Sequence, residues 1–264
     1  MRREQVRIKA AFMKEFLDIW PLLNPYDLDT TGGPWIQAAM PIIQRYRDLS
    51  ADQVEEYYRR FREIEAAEKA AEKPPPRITR GYRSNLVRPT IDWTDFDKAT
   101  EISLAVTGPS NIKAKRKRGK SPEQAKRDAL VQAGGSAARH VLSGGREAHL
   151  ELVNRDPIAV GHIRVTRTGC CSWCAMLASR GPVYKNANSA TRVVRGRNRP
   201  VGAEYHDNCM CTSEAVYSNS QAWPGDARKF QQMWIDFAKG KKDSVNAFRR
   251  AYEREQREAA RKAV

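Results

Sequence analysis

All five cysteines of the 264-residue chain fall between Cys170 and Cys211. This confinement constrains the fold more than any other feature. A secreted disulfide scaffold spreads an even number of cysteines along its length. An odd number, clustered, points to a metal site or to reactive thiol chemistry. The cluster has two halves, Cys171-Ser-Trp-Cys174 and His206-Asp-Asn-Cys209-Met-Cys211. A C-x-x-C pair lets two thiolates grip one ion from a single turn, and a later group supplies the remaining tetrahedral positions. His206, Cys209 and Cys211 are three candidates for those two places. The first choice of ligands is Cys171, Cys174, Cys209 and Cys211, with His206 replacing one of the last two as the alternative. Cys170 is the odd one out and is expected to be free. A structural zinc ion held this way contributes on the order of 10 kcal/mol of apparent folding free energy.

The same atoms admit a catalytic reading. Cys174, or Cys171 at the start of a helix, becomes a thiolate nucleophile when the helix N-terminus stabilises its charge. His206 then serves as the base, with Asp207 or a distant Asn orienting it. His140, His149 and His162 share no helical face at their spacing and are expected to be ordinary packed or surface residues.

Forty-seven Lys and Arg against 31 Asp and Glu give a formal charge of +16. Such a surplus speaks about partners rather than fold. It attracts DNA, polyphosphate or an acidic protein surface, and salt weakens each attraction. Six Trp, seven Phe and a 41% hydrophobic content are enough to build a core, which excludes a wholly disordered chain. No window approaches the ~18 consecutive apolar residues of a membrane span. Charges interrupt every apolar run in MRREQVRIKAAFMKEFLDIW, which speaks against a secretory signal.

Apolar periodicity assigns residues 1–73 to a helical N-terminal region. Ile8, Phe12, Phe16 and Ile19 form one stripe, and Trp35, Ala39, Ile42, Tyr46 and Leu49 form a second, with Pro41 threatening a kink. Ser50 followed by Gln53 fits a capping box, so a third helix is expected to restart there. Residues 74–120 read as a connector, with one short helix beginning near Asp92 and a basic loop, NIKAKRKRGK. Lys113, Lys115, Arg116, Lys117 and Arg118 of that loop are candidate nucleic-acid contacts, as are Arg195 and Arg197 further on. Ser121-Pro122-Glu123 starts a helix that Gly134-Gly135 is expected to interrupt, with a break or a tight packing contact at Gly144-Gly145. Residues 121–217 form the cysteine-bearing domain, and CTSEAVYS within it reads as a strand. Residues 218–264 form a basic helical tail with stripes at Phe230, Met233, Phe237 and at Val245, Phe248, Tyr252. The fold class is therefore mainly α, with a small α+β C-terminal domain built around the Cys/His cluster.

Three segments, ARHVLSGGRE, RVTRTGCCSWCAMLASRGPVY and YHDNCMCTSEAVY, resemble the Mu F-like minor capsid proteins of actinobacterial tailed phages. The resemblance covers residues 121–217, and its most distinctive part is CAMLASRGPVY followed by H-x-x-C-x-C. It implies a head morphogenesis protein acting near the portal, with scaffold or major capsid protein as further partners, and packaged DNA beside it. The implied location is the virion, and the host cytoplasm during assembly. The family's Cys/His positions carry over to Cys171, Cys174, His206, Cys209 and Cys211. In that group the same protein often bears the label capsid maturation protease, which implies a Cys174/His206 site acting on scaffold or capsid protein. A third expectation, from charge alone, is a sequence-independent DNA-binding virion protein.

Overall fold

A computed structural model describes residues 1–72, 90–185, 205–218 and 222–262. The chain divides into two compact units, Met1–Leu152 with Arg195–Asn208, and Val153–Val194 with Cys209–Val264. Among the described residues the structure is mostly helical, with one two-stranded sheet, in agreement with the expected fold class.

The first unit opens with α1 (Arg2–Ile19), a 3-10 turn at Trp20–Leu22, and α2 (Leu28–Glu72). After these come α3 (Thr94–Ala105), a π-helical turn at Val106–Ser110, α4 (Asn111–Lys117) and α5 (Pro122–Arg155). Its core is aromatic at one end and alanine-lined at the other. Phe12 of α1 meets Phe16, and Phe16 meets Trp20 and Trp35, whose rings stand edge to face 5.3 Å apart. Ala125, Ala129, Ala133 and Ala137 recur at every fourth position of α5 and are fully buried. That spacing keeps them on one helix face.

Two expected breaks are absent, for one reason. α2 runs through Ser50 without restarting, because the Ser50 hydroxyl is engaged sideways rather than as a cap. It donates to Gln5 Oε1 at 2.7 Å and accepts the Gly145 N–H at 2.9 Å. α5 likewise continues through Gly134-Gly135, and of the two expectations for Gly144-Gly145 it is the tight packing contact that holds. A Cβ on Gly144 would stand 2.0 Å from the Arg47 carbonyl oxygen, and one on Gly145 2.8 Å from that of Ser50. The second pair permits α2 and α5 to touch backbone to backbone.

The basic stretch is also not a loop. NIKAKRK forms α4, anchored by fully buried Ile112. Lys113 pairs with Asp29 and Arg116 donates to the Pro25 carbonyl at 2.8 Å. Lys117 and Arg118 are exposed, and Lys115 is half-buried. Arg195 and Arg197 lie outside the described residues.

Arg47 is buried, paired with Asp97 and stacked over the Trp93 ring at 4.6 Å. His140 is also buried. Arg139 Nη2, a donor only, lies 3.2 Å from His140 Nε2, so that nitrogen accepts and the ring is the neutral Nδ1–H tautomer. Burial first, then the Arg139 and Arg47 guanidinium groups, push the His140 pKa down to about 3.

The second unit holds β1 (Gly161–Val165), α6 (Ser172–Ala178), β2 (Thr212–Val216), α7 (Ala227–Phe237) and α8 (Ser244–Lys262). β1 and β2 pair antiparallel with Ile163 opposite Glu214, and Tyr184 bridges to His162 on β1. α7 and α8 both pack on α6. Phe230 meets Tyr252 and Trp234 meets Phe248 between them, with ring centroids 5.8 and 5.9 Å apart.

Two stability experiments follow from the first unit. Gly144→Ala, which must displace a backbone carbonyl, is expected to lower unfolding free energy by at least about 2 kcal/mol. Gly33→Ala, whose new Cβ meets nothing within 4 Å beyond its chain neighbours, is expected to change it by less than about 1 kcal/mol, the gain in helix propensity being offset by crowding against the Pro34 ring. Urea denaturation of both variants checks the contrast. The second concerns pH. His140 stays neutral in the fold below pH 6.5 while the unfolded chain takes up a proton, so stability falls with acidification until about pH 3. Between pH 6.5 and 5 the loss is about 2 kcal/mol, and His140→Gln is expected to flatten that slope in denaturation curves.

Candidate metal centre

Cys171 caps α6 from an extended conformation, and its Sγ accepts the Cys174 N–H at 3.4 Å. That bond fixes the first turn, so Cys174 points inward and is 1% exposed. On the other side of the site the chain turns at Asn208, whose φ is +64°, a conformation Asn tolerates better than most residues. It then runs through Cys209 and Cys211 into β2. Residues two apart in an extended chain share a side, and both thiols are buried.

The two arms meet at Cys174 and Cys209, whose sulfurs are 3.7 Å apart. Cys174, Cys209 and Cys211 all place their sulfurs within 4.8 Å of one another. A tetrahedral zinc site with Zn–S bonds of about 2.3 Å requires sulfurs about 3.8 Å apart, so the Cys174–Cys209 contact has the length of a tetrahedron edge. It is also far longer than a disulfide bond of about 2.05 Å, and all five cysteines are free thiols. The three buried sulfurs can hold a metal ion, with Cys171 on the cap of the same turn as Cys174.

Arg164, the fourth residue of β1, is fully buried and its Nη2 lies 3.1 Å from Cys174 Sγ. Thiolates crowded at this distance repel one another, and a buried guanidinium offsets part of their charge. The reading of the sequence passed over Arg164. The signal available was a cation set between Ile163 and Val165 on a short strand whose central residues are all buried.

Cys170, expected to be free, belongs to neither group of side chains that can hold an ion, but it packs beside them. It is buried, and its Sγ lies 3.5 Å from the Tyr252 hydroxyl, which donates to the Cys170 carbonyl. A hydrogen bond with the Cys211 thiol holds the Cys170 pKa below its ordinary range, against the opposing effect of burial. Cys211 is pushed up, first by that bond and then by those with Cys174 and Cys209.

His206 is exposed and belongs with the first unit, its Nδ1 2.7 Å from the Asp207 carbonyl. Asp207 is the partner of Arg139, whose Nε donates to Oδ1 at 2.9 Å. Arg146 stacks over the Tyr205 ring at 3.7 Å. The segments ARHVLSGGRE and YHDN are therefore joined by two side-chain contacts. His140, His149 and His162 are all buried packing residues.

The protein family described as VG15 protein matches residues 1–237. The gene 15 protein of Mycobacterium phage D29 is 27% identical over 255 residues, an alignment covering 81% of this chain and 83% of that protein. No solved structure matches the chain. No helix among the described residues is long and apolar enough to cross a membrane.

Exposure ranks the thiols. Cys171 is half-buried and the other four are buried. In metal-free native protein, a thiol-specific chromogenic reagent is expected to react rapidly with Cys171 alone, and with all five after denaturation. Rapid native labelling of Cys174 or Cys209, read by peptide mass spectrometry, contradicts the packing described.

Proposed function

The chain belongs to the VG15 protein family, with a distant relative in a mycobacteriophage gene 15 product, and from that premise we propose that it is a minor capsid protein of a tailed phage. It acts in portal-proximal head assembly, with portal, scaffold or major capsid protein as its partners. Its place is the virion, and the host cytoplasm while heads are built. The matched residues take in both the helical first unit and the cysteine cluster, and the segments that resemble Mu F-like proteins supply the cluster's ligands. The +16 charge agrees with a position beside packaged DNA.

In this reading the cluster is a structural zinc clamp. Cys171, Cys174, Cys209 and Cys211 hold the ion. The observation that carries the clamp is the 3.7 Å separation of two buried sulfurs from segments 35 residues apart. Zinc supplies a rigid tetrahedral centre, while Cys171 orients the turn and Arg164 offsets thiolate charge. The burial of Cys174 favours this role over that of a nucleophile. A nucleophile must meet its substrate, and this thiol is covered by Cys209 and Arg164.

Elemental analysis of the purified full-length protein is expected to give one zinc per chain. Cys174→Ala and Cys209→Ala are each expected to abolish it, and Cys170→Ala to retain it. A chelator is expected to lower the melting temperature of the wild type and leave Cys174→Ala unmoved. Zinc retained in both cysteine variants overturns the clamp. For the assembly role, mass spectrometry of purified heads and proheads is expected to detect the protein at low copy number, and its absence from both overturns the assignment. Co-expression with scaffold and major capsid protein is expected to leave their masses unchanged by Cys174→Ala.

A further inference from the structure

The last helix carries a charge pattern that neither the clamp nor the assembly role uses. α8 buries Phe248, Ala251 and Tyr252 against its own unit. On the opposite side stand Arg250, Arg254, Arg257 and Arg261, all exposed. Steps of four, three and four residues place them in one stripe along three turns. At 1.5 Å per residue the stripe is about 16 Å long, the axial length of about five base pairs at 3.4 Å each.

None of the four stands within 4 Å of a carboxylate among the described residues, and Arg250 is one of the groups that lower the Asp243 pKa from a greater distance. Arg249, off the stripe, pairs with Glu253, and Lys229 of α7 takes Glu255. Arg254 lies over the Phe237 ring at 5.3 Å, and Arg257 Nε donates to the Glu253 carbonyl at 3.2 Å. Both contacts orient a guanidinium without neutralising it. Between Ala227 and Lys262 there are eleven Lys and Arg against five Asp and Glu. The family match ends at residue 237, before this helix begins.

We infer that the arginine stripe of α8 binds the phosphate backbone of duplex DNA. A rigid row of cations complements a rigid row of anions better than it does a flexible acidic peptide, which must lose its own conformational freedom on docking. Single strands are bound chiefly through base stacking on aromatic rings, and both aromatic residues of α8 face inward. With guanidinium groups on phosphates and nothing stacking, the contact is blind to sequence. The inference goes beyond the assembly reading and does not depend on the metal.

The test is fluorescence anisotropy of full-length protein with a labelled 25-base-pair duplex of arbitrary sequence, at several salt concentrations. Each phosphate neutralised adds about 0.9 to the steepness of log K against log salt. Replacing Arg250, Arg254, Arg257 and Arg261 together with Gln is expected to reduce that steepness by about 3, and to weaken low-salt binding at least tenfold. The same four positions as Lys are expected to restore most of it, and circular dichroism is expected to show unchanged helix content. A comparison variant loses four cations elsewhere, with Lys115, Lys117, Arg118 and Lys120 replaced by Gln. A steepness that falls only in this second variant overturns the assignment, as does equal loss in both. Tighter binding to a polyglutamate peptide or to a single strand of the same length overturns it too.

Discussion

Three sulfurs that approach to within a few ångströms organise the second unit. Cys174 comes from the first turn of α6, while Cys209 and Cys211 come from the segment leading into β2. Thiols packed this closely are a poor arrangement by themselves, because each ionised one raises the cost of ionising the next. The geometry becomes favourable when a cation sits at their centre, and the buried guanidinium of Arg164 already supplies one charge beside it. The rest of the unit follows from that junction. α6 is only seven residues long, too short to hold its shape alone, and it is fixed by its Cys171 cap and by α7 and α8 packed on it.

The cluster was legible in the sequence because its logic is local. A C-x-x-C pair on a turn and a C-x-C pair in an extended stretch each fix their own side-chain directions. Their convergence was then an inference from chemistry. Cys170 was not legible, since its neighbours Cys211 and Tyr252 are 41 and 82 residues away. Arg164 was hidden similarly. A lone cation on a strand reads as a solvent-facing residue until a second element is known to cover it.

In the first unit, helix existence was readable and helix continuity was not. The apolar stripes of α1 and α2 appear directly in the spacing of their large residues. Ser50 and the glycine pairs carry the signature of helix ends, yet α2 and α5 run through them. The competing effect was tertiary. A hydroxyl that caps a helix in isolation here ties Gln5 to the Gly145 amide, and glycines that weaken an isolated helix here let two backbones meet. The basic run failed as a loop for a similar reason, since Ile112 anchors it and two of its cations find partners, one at Pro25 and one in the first turn of α2.

The Tyr252 hydroxyl closes over Cys170 from the penultimate turns of the chain, after every sulfur has already been placed earlier in the sequence. During synthesis the ribosome releases residues 170–211 well before it releases that tyrosine. The thiols are therefore all present in the chain before α8 is, and that helix docks on α6 after the residues that gather the sulfurs have been made.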